Sequence, residues 1–481
     1  MNAQLDSRDD DVAAALQAKL DRLKAAAAAE RYPSLAVRKD RLRRTVDVLL
    51  RNEKRIVAAL DHDFGGRPEA LNLLTDVLAP TRSLKHSLKH VEQWMKTEKR
   101  KPEFPMGLVG GTAEVFYQPL GVVGVVAPWN APVALAFSPL ASIFAAGNRA
   151  MVKPSELVPT VADLIAEMIN STFDPSEAVA VTGELEVARA FTALPFDHLV
   201  FTGGAGTARF VMKAAAEHLT PVTLELGGKS PAIIAKGCDL AYAAAKVCSG
   251  KFVNAGQVCM APDFAMVHRS EMPAFIREVR ATVQRMYPDF ASNKDFTRVH
   301  LPRQRQRLTK MIEEAGARGA KVEVLNGLAV DALADAPRFP PVLVENPPLD
   351  IELMREEVFG PILPVVAYDT LQQAADTLAS MSRPLALYFI GGNAAEKDFI
   401  LRNTWAGGVT FDDVMLHPFM QDLAFGGVGE SGMGRYLGHD GFKALSNAKG
   451  VVQRPWLDVS KYISPPYSPA LVQAMRKALR F

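Results

Sequence analysis

Residues 115–148 read VFYQPLGVVGVVAPWNAPVALAFSPLASIFAAGN, a stretch without one charged side chain. It is long enough to cross a bilayer as a helix. Pro119, Pro128, Pro132 and Pro139 interrupt it, however, and each removes a backbone donor and disfavours an unbroken helix. The stretch therefore divides into a fully apolar strand at 120–127, a Pro-Trp-Asn turn, and an apolar helix at 133–146 stopped by Gly147-Asn148. No membrane span is expected. A strand apolar on both faces, followed by a helix, is the unit of a parallel sheet covered by helices on both sides.

The same unit recurs downstream. NRAMVKP is a strand ending at Lys153, and AVAVTG, HLVFTGG and PVTLELGG are further strands, with helices expected at 158–170, 186–194 and 207–219 between them. A second block of alternation runs through SPAIIAK, FAMVH, a helix at 271–286 and ILPVVAY. The fold class is α/β, with two domains. Upstream, Asp9–Asp11 can cap an Ala-rich helix to Glu30, Ser34 starts a second helix towards Leu50, and a third reaches about Glu98. Residues 98–111 read as a linker, and GTAEVFYQPLG as an exposed strand or hairpin.

The chain has 481 residues, room for roughly two to four domains. Its 55 basic and 53 acidic residues leave a net charge of +2, which gives no general attraction to nucleic acid or an anionic membrane. Cys238, Cys248 and Cys259 are too few and too clustered for a disulfide framework or a four-thiolate zinc site. The nine histidines include no H-E-x-x-H motif, so no metal site is expected. The acidic start MNAQLDSRDDD lacks the apolar core of a secretory signal, and a cytoplasmic location is expected.

Some patterns fail as motifs. Gly227-Gly228-Lys229-Ser230 ends like a P-loop, but Thr223 stands where the upstream glycine is needed. Gly429-Glu430-Ser431-Gly432-Met433 lacks the last glycine of a nucleophile elbow. HLVFTGGAGTARF is more informative. A strand runs into Gly203, Gly204 and Gly206 and then into a helix, where free N–H groups and the helix dipole can face a pyrophosphate, although Arg209 breaks the full G-x-G-x-x-G pattern. Cys238 and Cys248 lie among small apolar residues and read as core thiols. Cys259 follows Asn254, Gly256 and Gln257 in a loop whose amides can stabilise a thiolate. Glu225 closes a strand in LELGG, where the glycines permit movement.

Taken in order, PWN at 128–130, KPSE at 153–156, FTGG at 201–204, LELGGKSP at 224–231, GQVC at 256–259, EEVFGP at 356–361 and FGGVGESGMGR at 425–435 resemble the signature segments of the NAD(P)-dependent aldehyde dehydrogenase superfamily along nearly the whole chain. AEHLTPVTLELGGKSP and FGGVGESGMG resemble the class 3 branch, and VVGVVAPWN with FSPLASIFAAGNRAMVKPSE resembles its bacterial coniferyl aldehyde dehydrogenases.

The resemblance implies two Rossmann-like parallel-sheet domains and a small bridging hairpin that pairs subunits into a homodimer. It implies a cofactor domain at 1–100 and 120–227, a catalytic domain at 228–428, and an oligomerisation region at 101–119 and 429–481. By the same resemblance, Cys259 attacks the carbonyl carbon of a small-molecule aldehyde, aromatic (coniferyl-type) or medium-chain. Asn130 and the Cys259 N–H stabilise the oxyanion, and Glu225 activates water to release the acid. Lys153 and Glu156 hold the adenosine ribose of NAD, with NADP possible. Glu357 and Phe359 contact the nicotinamide ribose and ring, Trp129 lies beside them, and Gly203, Gly204 and Gly206 lie near the pyrophosphate. Gly204 replaces a usual serine and Ala208 a usual glycine. Two alternatives stay open: a coenzyme A-acylating enzyme, against which Glu225 argues, and a non-catalytic binding protein on the same fold. Phe116, Tyr117, Phe252, Phe419 and Phe425 are candidates to line an aldehyde tunnel.

Overall fold

The computed structural model describes residues 2–104, 106–290, 292–325, 327, 328, 330, 333, 338–458 and 464–480. The apolar stretch divides at its prolines. Its strand is Val122–Val126 and its helix Pro132–Ala146. Every residue of that helix except Leu135 is buried, as an all-round apolar helix requires.

Val122–Val126 lies in the middle of a six-stranded sheet. The order is Gly432–Met433, Val222–Glu225, His198–Thr202, Val122–Val126, Arg149–Lys153, Ala178–Ala180, and only the short Gly432–Met433 strand is antiparallel. The chain first winds outwards through Arg149–Lys153 and Ala178–Ala180, then returns to the other side of Val122–Val126 through His198–Thr202. That reversal opens a crevice at the carboxyl ends of Val122–Val126 and His198–Thr202, the place where doubly wound sheets take their ligands. The residues that follow these two strands are Pro128-Trp129-Asn130 and Gly203-Gly204.

A second sheet of seven strands has the order Lys321–Val324, Val342–Glu345, Ile362–Tyr368, Phe264–His268, Pro231–Ile234, Ala386–Ile390, Gly408–Phe411, antiparallel only at its first pair. The third sheet is antiparallel, Glu98–Arg100 with Thr112–Pro119 with Ser446–Gln453. The 98–111 segment thus begins as a strand, because Glu98–Arg100 pairs with residues 113–115.

Other expectations needed correction. The first helix is Asn2–Ala29, running through the acidic triplet at 9–11 with no start there; the flanking residues are ordinary helix formers and give the backbone no reason to break. Ser34 does cap its helix, accepting from the Val37 N–H at 3.3 Å. Cys248 is a core thiol, but Cys238 is only partly buried and borders a surface cavity. Phe116 and Tyr117 belong to the antiparallel sheet, where Phe116 stacks on Tyr32 and the Tyr117 hydroxyl donates to Glu98, and Phe252 is core. Among the described residues no helix is long and apolar enough to cross a membrane.

Candidate active site

The crevice between the two parallel sheets is a cavity of about 550 Å³. Trp129, Asn130, Gly203, Gly204, Gly206, Glu225, Cys259, Glu357 and Phe359 all line it, and so does Leu135, the one partly exposed residue of the apolar helix. Lys153 and Glu156 are not among its lining residues. They form an ion pair with each other at 2.7 Å beyond the end of the Arg149–Lys153 strand.

Cys259 is delivered by a turn that few sequences can form. Asn254, Ala255 and Gly256 have φ values of 50°, 53° and 73°, three left-handed residues in succession. A Cβ on Gly256 would lie 2.3 Å from the Gly360 carbonyl oxygen, so this position needs both the φ freedom and the missing side chain. The turn is held by side chains. Asn254 donates to the carbonyls of Asn130 and Gln257, and Gln257 donates to those of Asn254 and Arg298. The Asn130 amide donates to the Gln257 carbonyl at 3.0 Å. Burial pushes the Cys259 thiol up to about 12, and the nearby carboxyls of Glu357 and Glu225 push the same way.

Glu225 ends the Val222–Glu225 strand, where its carbonyl accepts from the Gly203 N–H at 3.1 Å. The base candidate and the glycine turn are therefore one hydrogen bond apart. Its side chain is buried, and neither carboxyl oxygen has a hydrogen-bond partner among the described residues. Burial raises its pKa well above the ordinary carboxylate range, opposed by Arg435. A Cβ on Gly426 would lie 2.7 Å from Glu225 Oε1, so the FGGVG segment closes directly over the carboxyl.

Glu357 is pushed up to about 8 by burial and by Asp263, against a hydrogen bond from the Gly228 N–H. Its carboxyl occupies the space a Cβ on Gly227 would need. Phe359 has φ of 47° and packs edge-on to Trp129 at 5.6 Å. Gln304 and Arg307, on the helix Pro302–Ala317, brace this segment by donating to the carbonyls of residues 357–359.

The glycine turn opens onto the helix Ala205–Ala216, with Gly204 as its N-cap. A Cβ on Gly204 or Gly206 would meet nothing within 4 Å, so bare backbone faces open space there. Arg209, one helical turn on, lies 3.7 Å from Glu430 across the mouth.

Sequence reading named Asn254 and Gln257 for their backbone amides and not for their side chains, which bond backbone carbonyls here, and it missed Gln304 and Arg307 altogether. Tyr436 was missed too. It is buried and senses both Glu225 and Cys259. Only Asn254 and Gln257 carried a signal, their adjacency to the cysteine.

Residues 5–451 match the model of the aldehyde dehydrogenase family. The chain is 44% identical to a coniferyl aldehyde dehydrogenase of a Pseudomonas species, over 95% of this chain and 94% of the relative. It superposes on a substrate-bound Staphylococcus aureus AldH structure with a TM-score of 0.87 at 30% identity, covering 96% and 98% of the two chains. A P. syringae indole-3-acetaldehyde dehydrogenase in complex with NAD+ shares the fold, with a TM-score of 0.82 at 24% identity, covering 92% and 89%.

Proposed function

The chain belongs to the aldehyde dehydrogenase family, and from that premise we propose how its own residues oxidise an aldehyde to the acid. The observation that carries the reading is the convergence of Cys259, Asn130, Glu225 and Glu357 on one crevice at a topological switch point.

Cys259 adds through sulfur to the aldehyde carbon, and its proton leaves to solvent. The new alkoxide is stabilised by the Asn130 amide and the Cys259 N–H. Such a preorganised donor contributes about 2.7–4 kcal/mol. Loss of hydride from that carbon leaves a thioester on Cys259. Glu225, with both oxygens unpaired, orients a water and takes its proton as it attacks the thioester. A carboxyl raised by burial is a competent base for this, whereas an ordinary one at neutral pH is a poor proton acceptor.

The cavity also fits a nicotinamide dinucleotide. The backbone of Gly204 and Gly206 at a helix N-terminus, free of any Cβ, suits the pyrophosphate. Glu357 supplies an acceptor for the nicotinamide ribose, and Trp129 and Phe359 flank the ring. When bound, the dinucleotide accepts the hydride. We assign Lys153 and Glu156 to the adenosine ribose. Glu156 disfavours a 2′-phosphate, while its pairing with Lys153 leaves NADP admissible. The NAD+ complex of the P. syringae neighbour accords with this choice.

The Pseudomonas relative supports an aromatic, coniferyl-type aldehyde as the substrate class. kcat/KM for aliphatic, benzaldehyde-type and cinnamaldehyde-type substrates, each with NAD and NADP, tests it; a strong aliphatic preference overturns it. The division into a cofactor unit (1–100 and 120–227), a catalytic unit (228–428) and an oligomerisation unit (101–119 and 429–481) follows the three sheets except at two short strands, Glu98–Arg100, which pairs into the third sheet, and Gly432–Met433, which pairs into the first. Val452 and Trp456, 73% and 78% exposed on or beside the edge strand Ser446–Gln453, favour a homodimer built on that edge. Sedimentation of Val452→Lys against the parent chain decides it. A nucleophilic free thiol also favours a reducing, cytoplasmic setting.

A further inference from the structure

Resting on the roles proposed for Asn130 and Cys259, we infer that Arg67 is a positioning residue that locks the two halves of the oxyanion site together. The helix Pro132–Ala146 begins two residues after Asn130, yet its N-cap is Ala131, which has no side-chain acceptor. Its first N–H groups need a partner from elsewhere. Asp76 supplies it: Oδ1 accepts from the N–H groups of Val133 at 3.0 Å and Ala134 at 3.2 Å. Asp76 lies in a π-helical turn, Leu73–Leu78, an irregularity that re-aims a side chain relative to a regular helix.

Its other oxygen, Oδ2, accepts from Arg67 Nη1 at 2.8 Å. Arg67 Nε donates to Asn254 Oδ1 at 3.1 Å, and Nη2 to the Thr75 hydroxyl at 3.0 Å. The Asn254 amide in turn donates to the Asn130 carbonyl at 3.1 Å and the Gln257 carbonyl at 3.3 Å. One planar guanidinium therefore ties the segment bearing the Asn130 amide to the left-handed turn that delivers Cys259. Arg67, Asp76 and Asn254 are 3%, 0% and 3% exposed, so bulk water does not compete for these bonds. Lysine cannot either, because a compact ammonium lacks the fork that reaches Asp76 and Asn254 together.

Arg67→Lys keeps a cation beside Asp76 while cutting the link to Asn254. Its kcat should fall roughly 10- to 100-fold, the penalty of a misplaced catalytic group. KM for aldehyde and the Kd for NADH, read by fluorescence, should stay within about twofold of the parent. In an Asn130→Ala background the same substitution should lower kcat several-fold less than in the parent chain, because one of the two halves it locks together is gone. Asn254→Gly cuts the link from the other end at a φ that glycine tolerates, and should reproduce the loss even if the lysine variant fails to fold. Parental kcat in either folded variant overturns the inference, as does an undiminished effect in the Asn130→Ala background, or kcat, KM and Kd all deteriorating together. Asn130→Ala alone separates the two readings: unchanged kcat there sinks the oxyanion assignment itself, and a large loss with additive Arg67→Lys sinks only the lock.

Discussion

The side-chain amide of Asn130 donates to the carbonyl oxygen of Gln257 at 3.0 Å, which parks the donor two residues ahead of Cys259. An amide has two N–H groups, so one bond to Gln257 fixes its plane while the other remains to meet a substrate oxygen. Asn130→Ala is accordingly expected to lower kcat by about 10²–10³ and leave NADH affinity unchanged. Stopped-flow NADH formation with a fluorescence titration checks both halves. Loss of NADH binding in step with kcat would show that Asn130 shapes the pocket instead.

Glu225→Gln keeps the shape of the buried carboxyl but removes the base. We expect a first turnover of NADH near the parental rate, followed by steady-state turnover lower by about 10²–10⁴. A slowed first turnover with no burst would place Glu225 before hydride loss and contradict its assignment to water.

Cys259 is held as a thiol, its pKa pushed up to about 12 by burial and two carboxyls. The thiolate is the reactive form, so alkylation should rise about tenfold per pH unit. Peptide-resolved iodoacetamide labelling without cofactor between pH 7 and 10 should show that slope at Cys259 without a plateau. A plateau below pH 9 would mean a cation stabilises the thiolate.

Glu357 is pushed up from 4.5 to about 8 on folding, chiefly by burial. Below about 4.5 both folded and unfolded chains hold its proton and the contribution vanishes. Between 4.5 and 8 the unfolded chain has released a proton the folded chain retains, so stability falls as pH rises, and above 8 the loss is complete. Glu357→Gln removes this penalty. The Tm difference, variant minus parent, should grow more positive from pH 5 to 8 and then level off, and a flat difference would contradict the assigned cause.

The fold was legible where chemistry is local. Four prolines in an uncharged run decided strand and helix over membrane span, and alternating apolar strands and helices revealed both parallel sheets. Cys259 and Glu225 could be nominated because each sits among glycines at a strand end or loop. Asp76 and Arg67 could not, because what they do depends on a π-turn and on partners far along the chain. One clue was available: Ala131-Pro132 starts a helix with no capping side chain, which demands a remote acceptor. The Lys153–Glu156 ion pair likewise shows only in three dimensions, since the motif names the residues but not whether they face the cavity.

The central claim is that the aldehyde carbon becomes covalently attached to Cys259. Acid quench of Glu225→Gln after one turnover with aldehyde and NAD+, followed by peptide mass spectrometry, tests it most directly. The account predicts an adduct equal to the aldehyde less two hydrogens on the peptide containing Cys259, absent when NAD+ is omitted and absent in Cys259→Ala. A full NADH burst with no adduct on Cys259, or with the adduct on Cys238 or Cys248, would contradict it.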